Sequence, residues 1–241
     1  MKFNQNVELD RQLISKLTGA SISALEAFEN GDVSGAKKIS DGEVFIEGVI
    51  VSAGDWLSMF TGFYGPEQLR EDLADTKGDI TLYIDSPGGS VYGAANMMSQ
   101  LIKLRKKGRK VKSVVTGLCA SAATYFLLES DSTEINRTGS VMMHRVSACG
   151  CGDYKGFRKI ADVLEKYDAQ YVEQIADKTG KDADEILKMV DEETWLTAQE
   201  AIDLNLIDAL YELDDDDDTK KQVKNSKKTF HALLNQLAEI A

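Results

Sequence analysis

Cysteine, histidine and long apolar runs are all scarce in this sequence. Three cysteines in 241 residues are too few for the disulfide framework of a small secreted protein, which favours a reducing compartment such as the cytoplasm. No apolar stretch reaches the roughly 20 residues that a membrane helix needs, and the first residues lack the apolar region of a signal peptide. The sequence therefore predicts a cytoplasmic protein without a membrane partner.

Basic side chains are outnumbered, with 28 Lys and Arg against 40 Asp and Glu and a net charge of −12. This balance argues against a nucleic-acid partner, because phosphates are bound by clustered Lys and Arg. The aspartate run Asp214–Asp218 does not explain the excess, since residues 214–241 hold six acidic side chains and five lysines and carry only −1. The other −11 lies in residues 1–213, where it favours solubility.

The charge and hydropathy patterns divide the chain into four predicted parts. Residues 1–42 form a predicted N-terminal helical extension, and residues 43–213 form the main domain. The aspartate run opens a polar linker at 214–226, because like charges in series repel and stay solvated. Residues 227–241 carry apolar side chains at helical spacing, which predicts a C-terminal amphipathic helix. That helix either packs on its own subunit or docks on another protein.

Strand and helix patterns alternate across the main domain. Strands are predicted at 43–51, 80–85, 110–117 and 140–145, and helices at 91–105, 121–129, 154–179, 182–190 and 197–206. Short glycine-marked connections join them. This alternation predicts an α/β domain whose helices pack on a largely parallel sheet.

Only two histidines are available as a general base. His231 lies in the lysine-rich tail beyond the aspartate run, where no fixed position is expected. His144 closes a predicted strand, VMMH, beside a loop that contains glycine. A structural role at the strand end is the alternative, but a histidine base in this chain would be His144.

A glycine pair follows one predicted strand and opens a helix. In IDSPGGSV, Gly88 and Gly89 allow backbone conformations that other residues avoid, and Ser90 begins the next helix. Backbone N–H groups at such a turn suit an anion or an oxyanion. An ordinary strand-to-helix turn is the alternative.

A serine among small residues follows another predicted strand. In GLCASAATYFLL, Ser121 stands at the start of a predicted helix, where a serine is commonly an N-cap. The small neighbours also leave room for a substrate, and the N–H of Ala122 could meet a developing oxyanion. A capping role and a nucleophilic role both stay open from these residues.

Four motifs in this order resemble one known family. IDSPGGSV, GLCASAA, VMMH and EETWLTAQEAIDLNLID together resemble the Clp protease proteolytic subunit, and look most like its bacteriophage relatives, the head-maturation (prohead) proteases. The resemblance covers roughly residues 43–211. It implies an α/β, crotonase-like fold of repeated β-β-α units that assembles into heptameric or stacked rings.

The resemblance also implies an activity and partners. It implies a serine endopeptidase that needs no metal or cofactor and acts on a polypeptide substrate. Phage or prophage capsid or scaffold proteins are the implied substrates and partners, in the host cytoplasm or the prohead. The family's short N-terminal gating segment has no clear counterpart in residues 1–42, so an ATPase partner is left open.

The family's site residues carry over onto matching positions. The resemblance gives Ser121 the role of nucleophile and His144 that of general base. Gly89 and the main chain of Ala122 match the oxyanion hole, and Gly88 and Ser90 flank it. The implied reaction is acyl transfer through a Ser–His–acid triad.

The acid of the triad is less directly matched. The family has an Asp before the aromatic-Leu-Ser/Thr-Ala segment, and this chain has Glu193 there. The extra methylene changes the reach of the carboxylate, so Asp191 and Glu192 stay alternatives. The chain also has Arg145-Val146 where the family has Gln-Pro after its histidine, so the loop beside the site differs.

The three cysteines do not predict a metal site. Cys149 and Cys151 are too few ligands for a zinc site, and Cys119 is expected to be buried beside the nucleophile.

Three other functional classes are alternatives to the protease. A crotonase-type acyl-CoA enzyme needs no Ser–His pair. A serine–lysine signal-peptide peptidase would have a membrane anchor. A non-catalytic assembly or chaperone-like subunit would leave Ser121 and His144 beyond hydrogen-bond reach of each other.

Overall fold

The structure is a computed structural model that describes residues 42–55, 62–74 and 76–212. The polar linker at 214–226 and the C-terminal helix at 227–241 lie outside these residues. So does the N-terminal extension, apart from Gly42. All three stay predictions.

Strands and helices alternate through the described residues, as the sequence pattern predicted. In chain order the elements are β1 (Glu43–Glu47), β2 (Val49–Ile50), β3 (Phe63–Tyr64), α1 (Pro66–Ala74), β4 (Ile80–Ser86), α2 (Val91–Arg105), β5 (Val111–Ala120), a 3₁₀ turn (Ser121–Thr124), α3 (Tyr125–Leu128), β6 (Ser132–Ile135), β7 (Ser140–Met143), α4 (Tyr154–Thr179), α5 (Ala183–Asp191), β8 (Thr194–Thr197), α6 (Ala198–Asp203) and β9 (Ala209–Leu210).

Seven of these strands form one sheet, and β2 and β3 pair in a separate two-stranded sheet. Strands β1, β4, β5, β6 and β9 lie side by side in that order and are all parallel. Parallel strands need both faces covered, so their sequences are rich in apolar residues. The inward residues of β4 are fully buried, and Met97 and Leu101 of α2 belong to the same core. The predicted α/β domain with a largely parallel sheet is confirmed.

Strand β5 is long enough to pair with two strands on one of its edges. Its first half, Lys112–Val115, pairs with β6, and its last residues, Leu118–Ala120, pair with β7. Both pairings are parallel, so the carboxyl ends of β5 and β7 lie at the same end of the sheet. Ser121 follows one strand and His144 follows the other, which brings the two side chains together.

Strand β8 was missed by the sequence analysis, which predicted a helix from residue 197. Its four residues pair antiparallel with β7, and the last pair joins Met143 to Thr194. The next two residues in this register are His144 and Glu193. The helix begins only at Ala198, because Thr197 closes a capping box with Glu200.

Two further predicted elements differ in detail. The strand predicted at 43–51 is broken at Gly48, whose φ of 84° lies in the left-handed region. The helix predicted at 121–129 is a 3₁₀ turn followed by the short helix α3. Among the residues that the structure describes, no helix is long and apolar enough to cross a membrane.

The break at Gly48 gives a stability prediction. A Cβ at this position would lie 2.1 Å from the backbone oxygen of Gly62, whereas Gly108 has the same φ of 84° and open space around it. We expect Gly108→Ala to lower the free energy of unfolding by about 1–2 kcal/mol, the cost of left-handed backbone for an L-residue. Gly48→Ala should lower it by about 1–3 kcal/mol more, because the backbone must also shift.

Unfolding in guanidinium chloride, monitored by circular dichroism, measures the free energy of unfolding of both variants. Equal losses for Gly48→Ala and Gly108→Ala would contradict the close approach of Gly48 to Gly62.

Candidate active site

Ser121 stands in a strained turn at the end of β5. Its φ is 54°, a left-handed value that is uncommon for a non-glycine residue. The hydroxyl of Thr124 donates to the Ser121 carbonyl at 2.6 Å and lies 2.7 Å from the buried hydroxyl of Tyr171. Ala120, not Ser121, is the N-cap residue of the turn. The capping alternative for Ser121 is therefore wrong, and its side chain is left to face the cavity.

Gly88 presses against this turn. A Cβ on Gly88 would lie 2.5 Å from the Ala120 oxygen, 2.7 Å from the Ser121 Cβ and 2.9 Å from the Ala122 nitrogen. A Cβ on Gly89 would lie 2.2 Å from the Ile50 oxygen. No side chain fits at either position. Both residues must therefore be glycine because of the close approach of neighbouring backbone, and not only because the chain turns there.

The backbone around the glycine pair forms an isolated parallel bridge with Ile50. The Ile50 N–H donates to the Gly88 carbonyl, and the Ser90 N–H donates to the Ile50 carbonyl, both at 2.8 Å. The N–H of Gly89 lies between these groups and takes no part in the bridge. The N–H of Ala122 lies in the first turn after β5, where N–H groups have no partner within the turn. These two N–H groups are the candidate oxyanion donors.

Ser90 has a structural part in this arrangement. Its hydroxyl accepts the N–H of Gly93 at 3.1 Å, which caps α2, and lies 2.6 Å from the Ser52 hydroxyl. Ser90 therefore fixes the start of α2 behind the glycine pair.

His144 faces the Ser121 hydroxyl. Its Nε2 lies 2.7 Å from the Ser121 Oγ, which is hydrogen-bonding distance. Burial lowers the pKa of His144 below its ordinary value, while the negative charges of Glu193 and then Asp168 act in the opposite direction. The lowered pKa favours the neutral imidazole, and its Nε2 lies next to a hydroxyl, as a general base requires.

The three carboxylates proposed for the triad differ in their surroundings. Asp191 is bound to the Arg145 guanidinium, and Glu192 lies 4.0 Å from the exposed Lys188. Glu193 has a left-handed φ of 50° and accepts the indole N–H of Trp195 at 3.3 Å. Its charge has the largest effect of any carboxylate on the pKa of His144. The geometry therefore favours Glu193 over both alternatives.

Asp168 is a residue of the site that the sequence analysis missed. It is 4% exposed, and its carboxylate accepts the N–H of Val146 at 2.7 Å and the Arg145 guanidinium at 2.8 Å. The signal was present in the sequence, since Asp168 lies on the apolar stripe of α4, four residues after Leu164 and three before Tyr171. A charged residue on a buried stripe needs a partner.

A cavity of about 540 Å³ opens beside Ser121 and His144. One wall is the glycine segment, and the opposite wall is the apolar face of α4, with Ile160, Val163 and Leu164. The mixture of apolar walls and a few polar groups is typical of a substrate site.

The cysteines occupy two different environments. Cys119 is buried as predicted, and burial followed by the charge of Asp85 raises the pKa of its thiol. Cys149 and Cys151 are exposed, and Cys149 lines the cavity. Across residues 42–55, 62–74 and 76–212, no group of three or more His, Cys, Asp and Glu side chains is placed to hold a metal ion.

Known proteins are similar to this chain in sequence and in fold. The family model for Clp protease matches residues 69–214. The ATP-dependent Clp protease proteolytic subunit 2 of Thermobifida fusca is 34% identical over 145 residues, which are 59% of this chain and 70% of the relative. Subunit 3 of Rhodococcus jostii is 33% identical over 137 residues, which are 56% of this chain and 66% of the relative.

A solved structure shows the same fold. A point mutant of ClpP1 from Listeria monocytogenes superposes with a TM-score of 0.59 at 22% identity, over 72% of this chain and 93% of that chain. Together with the family match, which covers more than half of the sequence, these relatives settle the assignment that the four motifs suggested. The chain belongs to the Clp protease family, and the prediction of a Clp-like serine-type protease is confirmed.

Proposed function

We propose that this chain cleaves peptide bonds through a triad of Ser121, His144 and Glu193 and a covalent acyl-enzyme. The observation that carries the proposal is the 2.7 Å contact between the His144 Nε2 and the Ser121 Oγ at the mouth of a cavity. A non-catalytic subunit on this fold would not need that contact, and a crotonase-type enzyme would not need the pair.

The groups are arranged for acyl transfer. His144 takes the proton of the Ser121 hydroxyl, and the Oγ attacks the carbonyl carbon of the peptide bond. The N–H groups of Gly89 and Ala122 receive the negative charge that develops on the carbonyl oxygen, each worth about 3 kcal/mol of transition-state stabilisation. His144 then gives the proton to the leaving amine. In the second half of the reaction, His144 takes a proton from a water molecule that attacks the acyl-enzyme. It returns that proton to the Ser121 Oγ as the acyl bond breaks.

Glu193 serves as the group that orients the imidazole and stabilises its charged form. It follows from the register of β7 and β8, since the pair beyond Met143 and Thr194 is His144 and Glu193. A carboxylate beside the imidazole stabilises the imidazolium that forms when Ser121 loses its proton.

A polypeptide is the substrate that fits this site. Gly89 already pairs with Ile50 as a parallel bridge, and a peptide can lie along the glycine segment by main-chain pairing with the N–H and C=O groups that this bridge leaves unused. The apolar wall from α4 would contact the substrate side chain next to the cleaved bond.

Assembly and partners go beyond this site. Tyr154 and Phe157 are exposed apolar residues on α4, and such residues support contact with other subunits in a ring. The relatives named above are ATP-dependent by name, and a comparable ATPase partner for this chain stays open. Cleavage of phage capsid or scaffold proteins, a crotonase-like repeat of β-β-α units, and a cytoplasmic or prohead location stay predictions.

The nucleophile and the base are tested by covalent labelling. A fluorophosphonate should label Ser121, and both Ser121→Ala and His144→Ala should abolish labelling and lower peptide hydrolysis by at least roughly 10⁴-fold. Ser99→Ala is the control, because Ser99 is exposed on α2 and its hydroxyl donates to the Ala95 carbonyl in its own helix. Labelling that persists in Ser121→Ala would exclude Ser121 as the nucleophile.

The acid is tested by isosteric amides. We expect Glu193→Gln to lower kcat by roughly 10⁴-fold, since the imidazole loses the carboxylate that orients it. Asp191→Asn and Glu192→Gln should each cost less than about tenfold, because both side chains form partly exposed ion pairs. A large loss in Asp191→Asn with a small one in Glu193→Gln would reverse the assignment.

The lowered pKa of His144 predicts the pH dependence. The base must be neutral, so kcat/KM should fall on acidification only below the ordinary histidine pKa of about 6.5. In Glu193→Gln the residual activity should fall at still lower pH, because the charge that raises the pKa of His144 is gone. Peptide hydrolysis measured between about pH 5 and pH 8 checks both. A midpoint that rises in Glu193→Gln would contradict the charge effect.

A further inference from the structure

Asp168 is a buried carboxylate close to the catalytic base. Its side chain is 6% exposed, whereas that of Arg145 is 45% exposed. A charge this deeply buried is stable only when it is paired and hydrogen-bonded. Both of its oxygens are engaged, one by the Val146 N–H at 2.7 Å and the other by the Arg145 guanidinium at 2.8 Å.

Arg145 joins three elements around the base. It follows His144 at the end of β7, and its guanidinium binds Asp168 of α4 and Asp191 at the end of α5. Asp191 stands two residues before Glu193, at the start of the turn that leads into β8. One cation therefore binds both Asp168, whose charge acts on His144, and Asp191, which lies two residues before Glu193.

Two carboxylates affect the charge state of His144. Glu193 and Asp168 both act on it electrostatically, yet only one carboxylate can orient the ring. The tyrosines nearby stay neutral, since burial raises the pKa of Tyr125 to about 12 and also raises that of Tyr171. The charged or titratable groups that line the cavity or act on His144 are Tyr92, Ser121, Tyr125, Cys149, Lys159, Tyr167, Asp168, Tyr171 and Glu193.

We propose that Arg145 is a positioning residue of this site: it neutralises Asp168 and anchors Asp191, so that Glu193 alone orients His144. The inference rests on the proposed function, because it assigns a role within the same triad. Asp191 and then Asp168 raise the pKa of the Arg145 guanidinium, so it stays charged at every working pH. The double fork of Arg suits two carboxylates better than the single ammonium of Lys does.

The sign of the effect follows from the charges. Without the guanidinium, the Asp168 carboxylate is unpaired beside His144 and stabilises the imidazolium. The pKa of His144 then rises, and less of the base is neutral at a given pH. Removal of Asp168 together with Arg145 takes away both charges and cancels the effect.

The experiment uses the full chain in four forms: wild type, Arg145→Gln, Asp168→Asn and the double variant. Carbon-13 labelled histidine gives two ring signals, since the chain has two histidines, and His231→Gln identifies the signal of His144. The midpoint of the His144 titration is measured by NMR, alongside the pH dependence of fluorophosphonate labelling. Arg105→Gln is the matched control, because Arg105 also binds two carboxylates, Glu129 and Asp131.

We expect the His144 midpoint to rise by about one pH unit in Arg145→Gln, to fall in Asp168→Asn, and to return to the wild-type value in the double variant. The acid limb of the labelling rate should move with it. Arg105→Gln should leave the midpoint in place, since Arg105 lies near the opposite end of β5.

Two outcomes would overturn the proposal. One is a labelling rate that falls equally at all pH values in Arg145→Gln with an unmoved His144 midpoint, which indicates a structural role only. The other is a double variant whose midpoint stays displaced. If Arg145→Gln does not fold, Asp168→Asn and the double variant still decide the question, because the midpoint should fall in the first and equal the wild-type value in the second. The histidine titration does not require activity, so a chain that is neither labelled nor active would refute the proposed function and leave this test intact.

Discussion

The pairing of β7 on both of its edges is the constraint on which the site depends. One edge runs parallel to the end of β5, which sets His144 beside Ser121. The other edge runs antiparallel to β8, in a register whose next pair is His144 and Glu193. A shift of one residue in either ladder would move Ser121 or Glu193 away from His144, because strand register fixes which side chains face each other. The sheet hydrogen bonds thus set the geometry of the chemistry.

The site concentrates strain and buried charge, and neighbouring groups compensate for both. Ser121 and Glu193 have left-handed backbone without being glycine, which costs of order 1–3 kcal/mol each. The Thr124 hydroxyl donates to the Ser121 carbonyl and is itself hydrogen-bonded to the buried Tyr171 hydroxyl. The buried charge of Asp168 is met by the Arg145 guanidinium and a backbone N–H. Strain of this kind persists where surrounding contacts over-determine the backbone.

Much of the fold and site was predictable because the responsible signals are local. Apolar runs predicted the strands β1, β4, β5 and β7 but not the short parallel strands β6 and β9. The glycine pair, Ser121 and His144 each stood at the end of such a run. The short strand β8 was missed, since TWLT is four residues long and leads into a strong helix pattern. The turn at Ser121 was mistaken for a helix, because alanine-rich segments have high helix propensity and the left-handed φ leaves no mark in the sequence.

The sequence by itself determined the chemical groups, their order along the chain and the α/β class, since these depend on residue type and on periodicity. It also determined the family, through four motifs that keep their order. Only the tertiary structure decided which of three neighbouring carboxylates has the largest charge effect on His144, and that Arg145 binds both Asp168 and Asp191. These relations join residues 23 and 46 positions apart through strand register and helix packing, and no local pattern encodes such contacts.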